Sequence, residues 1–336
     1  MIITLKPGTP ATEIEKMKNR LEELGVAVNI IQGTSYCVFG LVGDTTKIDP
    51  SVIQADRNVE SLLRVQDPFK LANRLFHPED TEILVNESKI GKDTMAIIAG
   101  TCSIESEEQI LILSKQVKEM GASFLRGDVF KPRSLPYRTI SEEEVIDILK
   151  LAKHNTGLPL VTEVMSARNI EETSQYADVF TIGSRNMQNF ELLKEAGKSG
   201  KPVILKRGQS STFQEFLMAA EYIMAEGNNN VILCERGIRT FETSTRSTFD
   251  VSSIPALKKM SHLPVIVDPS HASGAWWMVE PLSKAAAAAG ADGLMIEVHN
   301  DPSNAKCDGE HSIRPETFGT LIKSLKEIAK INNKYI

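Results

Sequence analysis

From residue 95 onward the chain alternates short apolar runs with capped helical segments, and this alternation restricts its fold more than any other feature. The runs are MAIIAG, SFLRG, LPLVTE, DVFTIG, PVILK, NVILCE, LPVIVD and GLMIEV. Helices open between them at Ser106-x-x-Gln109, Ser141-x-x-Glu144 and Thr212-x-x-Glu215, where a hydroxyl satisfies a free amide of the first turn. Gly121 and Gly227 stop two of these helices in the left-handed conformation, and a closing helix starts near Pro315. Eight strand–helix units over roughly 245 residues is the size and period of a (β/α)8 TIM barrel. An open doubly wound sheet is the alternative for the same alternation; the number of units fits the closed form.

The first 66 residues follow a different grammar. Ile2 to Leu5 reads as a strand, Thr9-Pro10 as the start of a helix carrying Ile14, Met17, Leu21 and Leu24, and Val26 to Ile31 with Tyr36 to Val42 as a hairpin pair. Asp49-Pro50 opens a short helix and Val59 to Val65 is a last strand. The order βαββαβ is that of a ferredoxin-like α+β domain, a regulatory module by virtue of having no reactive cluster. The expected division is therefore 1–66 for this domain, 67–90 for a linker in which LANRLF is helix-prone, and 91–336 for the barrel.

Thirty-eight basic against 44 acidic residues give a net charge of −6, so no global positive field attracts nucleic acid or an anionic membrane. No apolar stretch approaches the roughly eighteen residues of a membrane span, and the N-terminus lacks a basic segment followed by an apolar run, so the chain reads as cytoplasmic. Four scattered cysteines without CxxC spacing indicate neither a disulfide framework nor a zinc knuckle. No P-loop or GxGxxG occurs, which leaves nucleotide binding unsupported.

In such a barrel the chemistry gathers at the C-terminal ends of the strands. The residues there are Cys102, Arg126 with Lys131 and Arg133, Glu163, Arg185, Lys206, Glu235 with Arg236, Asp268 with His271, and Glu297 with Asp308 one loop on. Six cations around one mouth of an acidic protein imply more than one bound anion: a substrate with carboxylate and phosphate, or two phosphorylated substrates. Cys102, His271, Glu297 and Asp308 combine soft and hard ligands, which suits one divalent metal ion such as Mn, Fe, Co or Zn acting as a Lewis acid. The bland alternative is a buried apolar Cys102 and a hydrogen-bonding loop His271. Cys307 and His299 stand close enough in sequence to replace a ligand.

The segments GTCSIES, LRGDVFKPRS, IGSRNMQN, VILKRG, ILCERGIRT, VDPSHASG and IEVHNDP, in that order, resemble the barrel of 3-deoxy-D-arabino-heptulosonate 7-phosphate (DAHP) synthases of the subgroup related to 3-deoxy-octulosonate 8-phosphate synthases. MIITLKPG and FHPEDT resemble members with an N-terminal ferredoxin-like regulatory domain. The resemblance implies a metal-dependent transferase that joins phosphoenolpyruvate to erythrose 4-phosphate and releases phosphate, the first step of the shikimate pathway to the aromatic amino acids. It implies Cys102, His271, Glu297 and Asp308 as metal ligands, and Arg126 and Lys131 at the phosphoenolpyruvate carboxylate. Arg185, Lys206 and Arg236 then hold its phosphate, and Arg133 and Ser134 hold the phosphate of the aldehyde. Lys131 becomes the candidate proton donor to the aldehyde and Glu163 the candidate for handling water or orienting Lys206. Feedback inhibition by tyrosine or phenylalanine and a homotetramer are also implied.

Departures from the family pattern cluster on the aldehyde side. Gly127-Asp128-Val129 stands for Gly-Gly-Ala, adding a negative charge beside the cationic cradle, and Ser134-Leu135-Pro136 stands for Thr-Ser-Pro. RTISEEE follows Tyr137 in place of a loop rich in glutamine and glycine, and Trp276-Trp277 replaces a basic or polar pair. They keep three other readings open: the same chemistry on another phosphorylated or amino-sugar aldehyde, a metal-free aldolase with Lys206 as Schiff-base nucleophile, and a ligand-sensing paralogue without turnover.

Overall fold

A computed structural model describes residues 1–33, 36–45, 48–63, 67–129 and 141–336. The chain divides into two compact units, residues 1–79 with 260–262, and residues 80–259 with 263–336.

The first unit has the elements β1 (Ile2–Leu5), α1 (Ala11–Glu22), β2 (Ala27–Gln32), β3 (Cys37–Val42), α2 (Pro50–Gln54) and β4 (Val59–Leu63). Its antiparallel sheet has the order β2-β3-β1-β4, the split βαβ expected from sequence. Alternation along β1 and β3 sends Ile3, Leu5, Phe39 and Leu41 into a core with Ile14, Met17 and Leu21 of α1. Ile2 and Val38 point to the other face, where Phe76 covers them. Gly40 is required there, since a Cβ would lie 2.4 Å from the Phe76 ring. Two local expectations shift. Thr9 does not cap α1: its hydroxyl donates back to the Lys6 carbonyl (2.7 Å), and the helix starts one residue later behind Pro10. LANRLF forms turns instead of a helix, because the Asn73 side chain accepts the Leu75 amide (2.9 Å) and the Arg74 amide donates to Met260 O (2.9 Å).

The second unit begins with a hairpin, β5 (Ile83–Val85) and β6 (Ser88–Ile90), inside the stretch read as linker. The eight strands of the barrel follow: β7 (Ala96–Gly100), β8 (Phe124–Arg126), β9 (Leu160–Val164), β10 (Val179–Ile182), β11 (Val203–Lys206), β12 (Val231–Glu235), β13 (Val265–Val267) and β14 (Gly293–Glu297). All neighbours are parallel and β14 pairs with β7, so the sheet closes and the open doubly wound alternative falls away. Around them lie α3 (Glu107–Met120), α4 (Glu142–Thr156), α5 (Ile170–Ser174), α6 (Phe190–Lys198), α7 (Phe213–Met224), α8 (Ser253–Met260), α9 (Pro269–Ser273), α10 (Trp276–Ala288) and α11 (Pro315–Ile331). Ser106, Ser141 and Thr212 cap α3, α4 and α7 as their spacing predicts, the last in a full capping box with Glu215. Ile83, Val85 and Ile90 of the hairpin join Ala96, Phe124, Val179 and other inward residues in one core, closing the N-terminal end of the barrel. No helix among the described residues is long and apolar enough to cross a membrane.

Candidate active site

At the opposite, C-terminal end lies a cavity of about 320 Å³. Arg185, Lys206 and Arg236 line it with Glu163, and so do Arg239 and Arg246 from the loop after β12. Each is delivered by local structure: Arg185 by the turn after β10, Lys206 by the last residue of β11, and Arg236 by the residue following β12. Gly183 lets Glu163 sit against the chain, because a Cβ there would fall 2.1 Å from Glu163 Oε1. Among the described residues, Arg185, Arg236, Arg239 and Arg246 have no carboxylate partner, whereas Lys206 Nζ donates to Asp268 Oδ2 at 2.6 Å. Arg185, Arg239 and Arg246 are exposed and Arg236 is buried; guanidiniums without a carboxylate on one concave surface make a site for anionic ligands.

His271 and Asp308 line the same cavity, and behind them the residues read as metal ligands converge. They fall into two abutting groups, Cys102 with Cys307 and Asp308, and His271 with Glu297 and His311; within each group one donor atom per residue lies within 4.8 Å of the others. Cys102 Sγ is 2.9 Å from Asp308 Oδ2 and 3.7 Å from Cys307 Sγ. His271 Nε2 is 3.5 Å from Glu297 Oε1. His311 joins the groups, with Nδ1 3.0 Å from Glu297 Oε2 and Nε2 3.2 Å from Asp308 Oδ1. Asp308 adopts a left-handed backbone (φ 57°), a conformation few residues other than glycine and asparagine or aspartate take up without cost.

The electrostatics of this cluster fit a cation. Burial drives the His271 imidazole down, to about 4, against the pull of Asp268 and Glu297, so the ring is neutral. Its Nδ1 donates to Asp268 Oδ2 (2.7 Å), which turns the Nε2 lone pair toward the Glu297 carboxylate. Two acceptors then face each other, the arrangement a bound cation relieves. Burial raises the Glu297 carboxyl, but the charges of Arg126 and His311 outweigh it and hold the group ionised. Neither carboxylate oxygen of Glu297 has an aligned hydrogen bond, although Arg126 Nη1 lies 2.9 Å from Oε1. Burial lowers His311, while Asp308 and Glu297 override it and lift the imidazole to about 9; a ring so held occupies the space between carboxylates with positive charge.

Arg126 does not line the cavity. It is buried, with Nη2 3.1 Å from Asp128 Oδ2 and Nη1 on Glu297. Asp128, expected as a negative charge beside the cradle, lies there buried, where Oδ1 accepts the Glu163 amide (2.9 Å) and Oδ2 faces Arg126. Trp276 and Trp277 are exposed at the start of α10 and are not cavity residues. His299 points away, to Glu105 and Gln109. Lys131, Arg133, Ser134 and residues 138–140 after Tyr137 lie outside the described residues. His311, Arg239 and Arg246 were not singled out from sequence; the GIRTFETSTR run after Arg236, dense in arginine and threonine, is the signal that marks two of them.

Comparison with known proteins agrees with this geometry. Residues 76–333 match the profile of the DAHP synthetase I family, and residues 1–67 that of the DAHP synthase ferredoxin-like domain. A phospho-2-dehydro-3-deoxyheptonate aldolase from Thermotoga maritima is 43% identical over 98% of both chains. A 2-dehydro-3-deoxyphosphooctonate aldolase from Geotalea uraniireducens is 32% identical over 74% of this chain and 98% of its own. The crystal structure of the Thermotoga maritima DAHP synthase superimposes with a TM-score of 0.79 at 41% identity, covering 99% of this chain and 98% of that one. A truncated form of that organism's 3-deoxy-D-arabino-heptulosonate 7-phosphate synthase gives 0.75 at 43% identity over 80% of this chain and 98% of its own. With its closed barrel, its cationic cavity and its ligand cluster, the chain is an enzyme that belongs to the DAHP synthetase I family.

Proposed function

We propose that this enzyme condenses phosphoenolpyruvate with erythrose 4-phosphate to give 3-deoxy-D-arabino-heptulosonate 7-phosphate and phosphate, the first step of the shikimate pathway. The observation that carries the reading is one cavity whose wall holds Arg185, Lys206 and Arg236 on one side and His271 and Asp308 of the ligand cluster on the other. Cys102, His271, Glu297 and Asp308 would hold one divalent ion, Mn, Fe, Co or Zn, with Cys307 and His311 alongside. When bound, such an ion supplies Lewis acidity that polarises the aldehyde.

The rest of the chemistry belongs to side chains. Arg185, Lys206 and Arg236 fix the phosphate of phosphoenolpyruvate, and Asp268 sets the position of the Lys206 ammonium. Arg126 and Lys131 take its carboxylate, which at Arg126 competes with Asp128 and Glu297. Arg133 and Ser134 take the aldehyde's phosphate. The methylene carbon attacks the aldehyde carbon, Lys131 delivers a proton to the aldehyde oxygen, and Glu163 orients the water that adds to the former enol carbon before phosphate departs by carbon–oxygen cleavage. Lys206 tied 2.6 Å from Asp268 is an ammonium anchor, which speaks against a Schiff-base role. The ferredoxin-like unit is read as the receptor for tyrosine or phenylalanine, and the assembly as a homotetramer.

Phosphate release from this substrate pair, measured before and after chelation, tests the reading. Loss of activity with the chelator and its return with added metal support it, and full turnover in metal-free protein removes the metal. The likeness to 2-dehydro-3-deoxyphosphooctonate aldolases favours a second reading with another phosphorylated or amino-sugar aldehyde. A panel of aldehydes at fixed phosphoenolpyruvate separates the two, and strong preference for erythrose 4-phosphate removes the second.

A further inference from the structure

The loop between β12 and α8 carries two arginines that the scheme above does not use. Ile238 and Thr248 pair across it as an isolated antiparallel bridge, each amide donating to the other's carbonyl at 2.9 Å, with Arg239 on the outgoing arm and Arg246 on the return. Both ends of the loop are fastened. The Gly237 amide donates to Glu235 Oε1 (2.7 Å), while Arg207 Nη1 reaches Glu235 Oε2 (3.0 Å) and Asp250 Oδ2 (2.9 Å). The return arm rests on α9: the Arg246 amide donates to Ser273 O (3.1 Å), and Arg236 Nη1 donates to Ser247 Oγ (3.2 Å). Gly274 leaves the room that Arg246 needs, since a Cβ there would lie 2.6 Å from Arg246 Cβ.

Charge counting separates these arginines from the seat already described. Arg185, Lys206 and Arg236 carry three positive charges, and Asp268 on Lys206 removes one, leaving two for a single phosphate dianion. Arg239 and Arg246 add two more on the same cavity, with no carboxylate partner among the described residues; Glu163 and Asp308 line it too, Asp308 beside His311, and Arg246 Nη1 lies 3.1 Å from His311 Nε2. Burial holds the Arg236 guanidinium below its ordinary range against the pull of Asp268, and repulsion from Arg246 adds to the effect, which places the Arg246 charge beside the first seat. A fastened loop presents its guanidiniums without a large ordering cost.

We propose that Arg239 and Arg246 form a second phosphate site, which takes a phosphate monoester or inorganic phosphate beside the seat made by Arg185, Lys206 and Arg236. The proposal rests on reading this cavity as the substrate site. The occupant is either the phosphate end of the aldehyde on its way in or the released phosphate on its way out.

Calorimetric titration with inorganic phosphate tests it in the full chain. The double variant R239Q/R246Q should bind one phosphate fewer than the wild type, while R185Q weakens the seat of Arg185, Lys206 and Arg236 and leaves that additional phosphate in place. Each single variant should weaken the second site about tenfold, the equivalent of one charged hydrogen bond. Steady-state kinetics then identify the occupant: a higher KM for the phosphorylated aldehyde assigns the site to that substrate, and weaker product inhibition by phosphate with both KM values held assigns it to the leaving group. A rise confined to the KM for phosphoenolpyruvate merges the two arginines with the first seat and overturns a second site, as does unchanged stoichiometry in the double variant. Both residues are exposed, so the variants should keep the wild-type melting temperature in phosphate-free buffer. Phosphate binding is read without turnover; a wild type that binds one phosphate more than R239Q/R246Q but does not condense the substrates would remove the proposed reaction and leave this site standing.

Discussion

Lys206 and His271 meet on a single oxygen: Asp268 Oδ2 lies 2.6 Å from Lys206 Nζ and 2.7 Å from His271 Nδ1. One buried carboxylate thus positions a cation of the phosphate seat and orients a candidate metal ligand. Burial raises the Asp268 carboxyl, and the Lys206 charge with the hydrogen bond from His271 more than reverses this, holding it well below the usual range. Asp268→Asn should therefore damage two functions together. Metal affinity should fall by about 10- to 100-fold, as for other partners that orient a ligating histidine, and the KM for phosphoenolpyruvate should rise. Metal titration and kinetics on one preparation check this; a change in only one of the two would show that Asp268 does not couple them.

Gly183 predicts a separable effect on Glu163. Its backbone (φ −63°, ψ 153°) suits alanine, so Gly183→Ala strains no dihedral, yet the new methyl meets Glu163 Oε1 at 2.1 Å. Thermal stability should change by less than about 1 kcal/mol. The rate of condensation should fall by roughly tenfold or more if Glu163 handles a proton or water. An unchanged kcat would remove Glu163 from the chemistry.

Arg207 is buried between Glu235 and Asp250, with its guanidinium 4.5 Å from the Phe213 ring centroid. Arg207→Met leaves the fully buried Glu235 charge without its partner and should cost about 3–5 kcal/mol in urea unfolding. Adding Glu235→Gln should restore part of that loss by removing the stranded charge. If the double variant is as unstable as the single, packing against Phe213 is the dominant contribution.

The hairpin under the barrel makes a prediction about stability alone. Ile83 is 1% exposed and packs on inward residues of the strands. Ile83→Ala should cost about 2–5 kcal/mol by leaving a void, with kinetic constants unchanged in the surviving folded protein. A destabilisation below about 1 kcal/mol would mean that the barrel end collapses onto the gap.

Removal of residues 1–66 checks the regulatory reading of the ferredoxin-like unit. Condensation should persist in the shortened enzyme, and inhibition by tyrosine or phenylalanine should vanish. Retained inhibition would place the effector site on the barrel.

The barrel was legible because period and punctuation agree: eight apolar runs end within one residue of the strand ends, and Ser106, Ser141 and Thr212 cap the helices their spacing marks. The cavity was legible where a residue sits at or just past a strand end, as Lys206 and Arg236 do. Arg239, Arg246 and His311 escaped because they belong to loops, where no periodicity says which way a side chain points. The negative charge of Asp128 beside the cradle was legible, but a local pattern cannot show that Arg126 and the Glu163 amide surround it. The β5–β6 hairpin escaped for a simpler reason, since two strands of three residues are too short to register alternation.

The stopper formed by Ile83, Val85 and Ile90 has a kinetic corollary. A vessel shut at its base has a single doorway, so both reactants, the water consumed and both products must pass through it in turn. Whichever reactant seats deeper has to arrive first, and its successor bars the way out until bond formation is complete. Initial-rate plots should consequently intersect in the manner of an ordered sequential scheme, with the deeper molecule able to bind alone and the shallower one unable to.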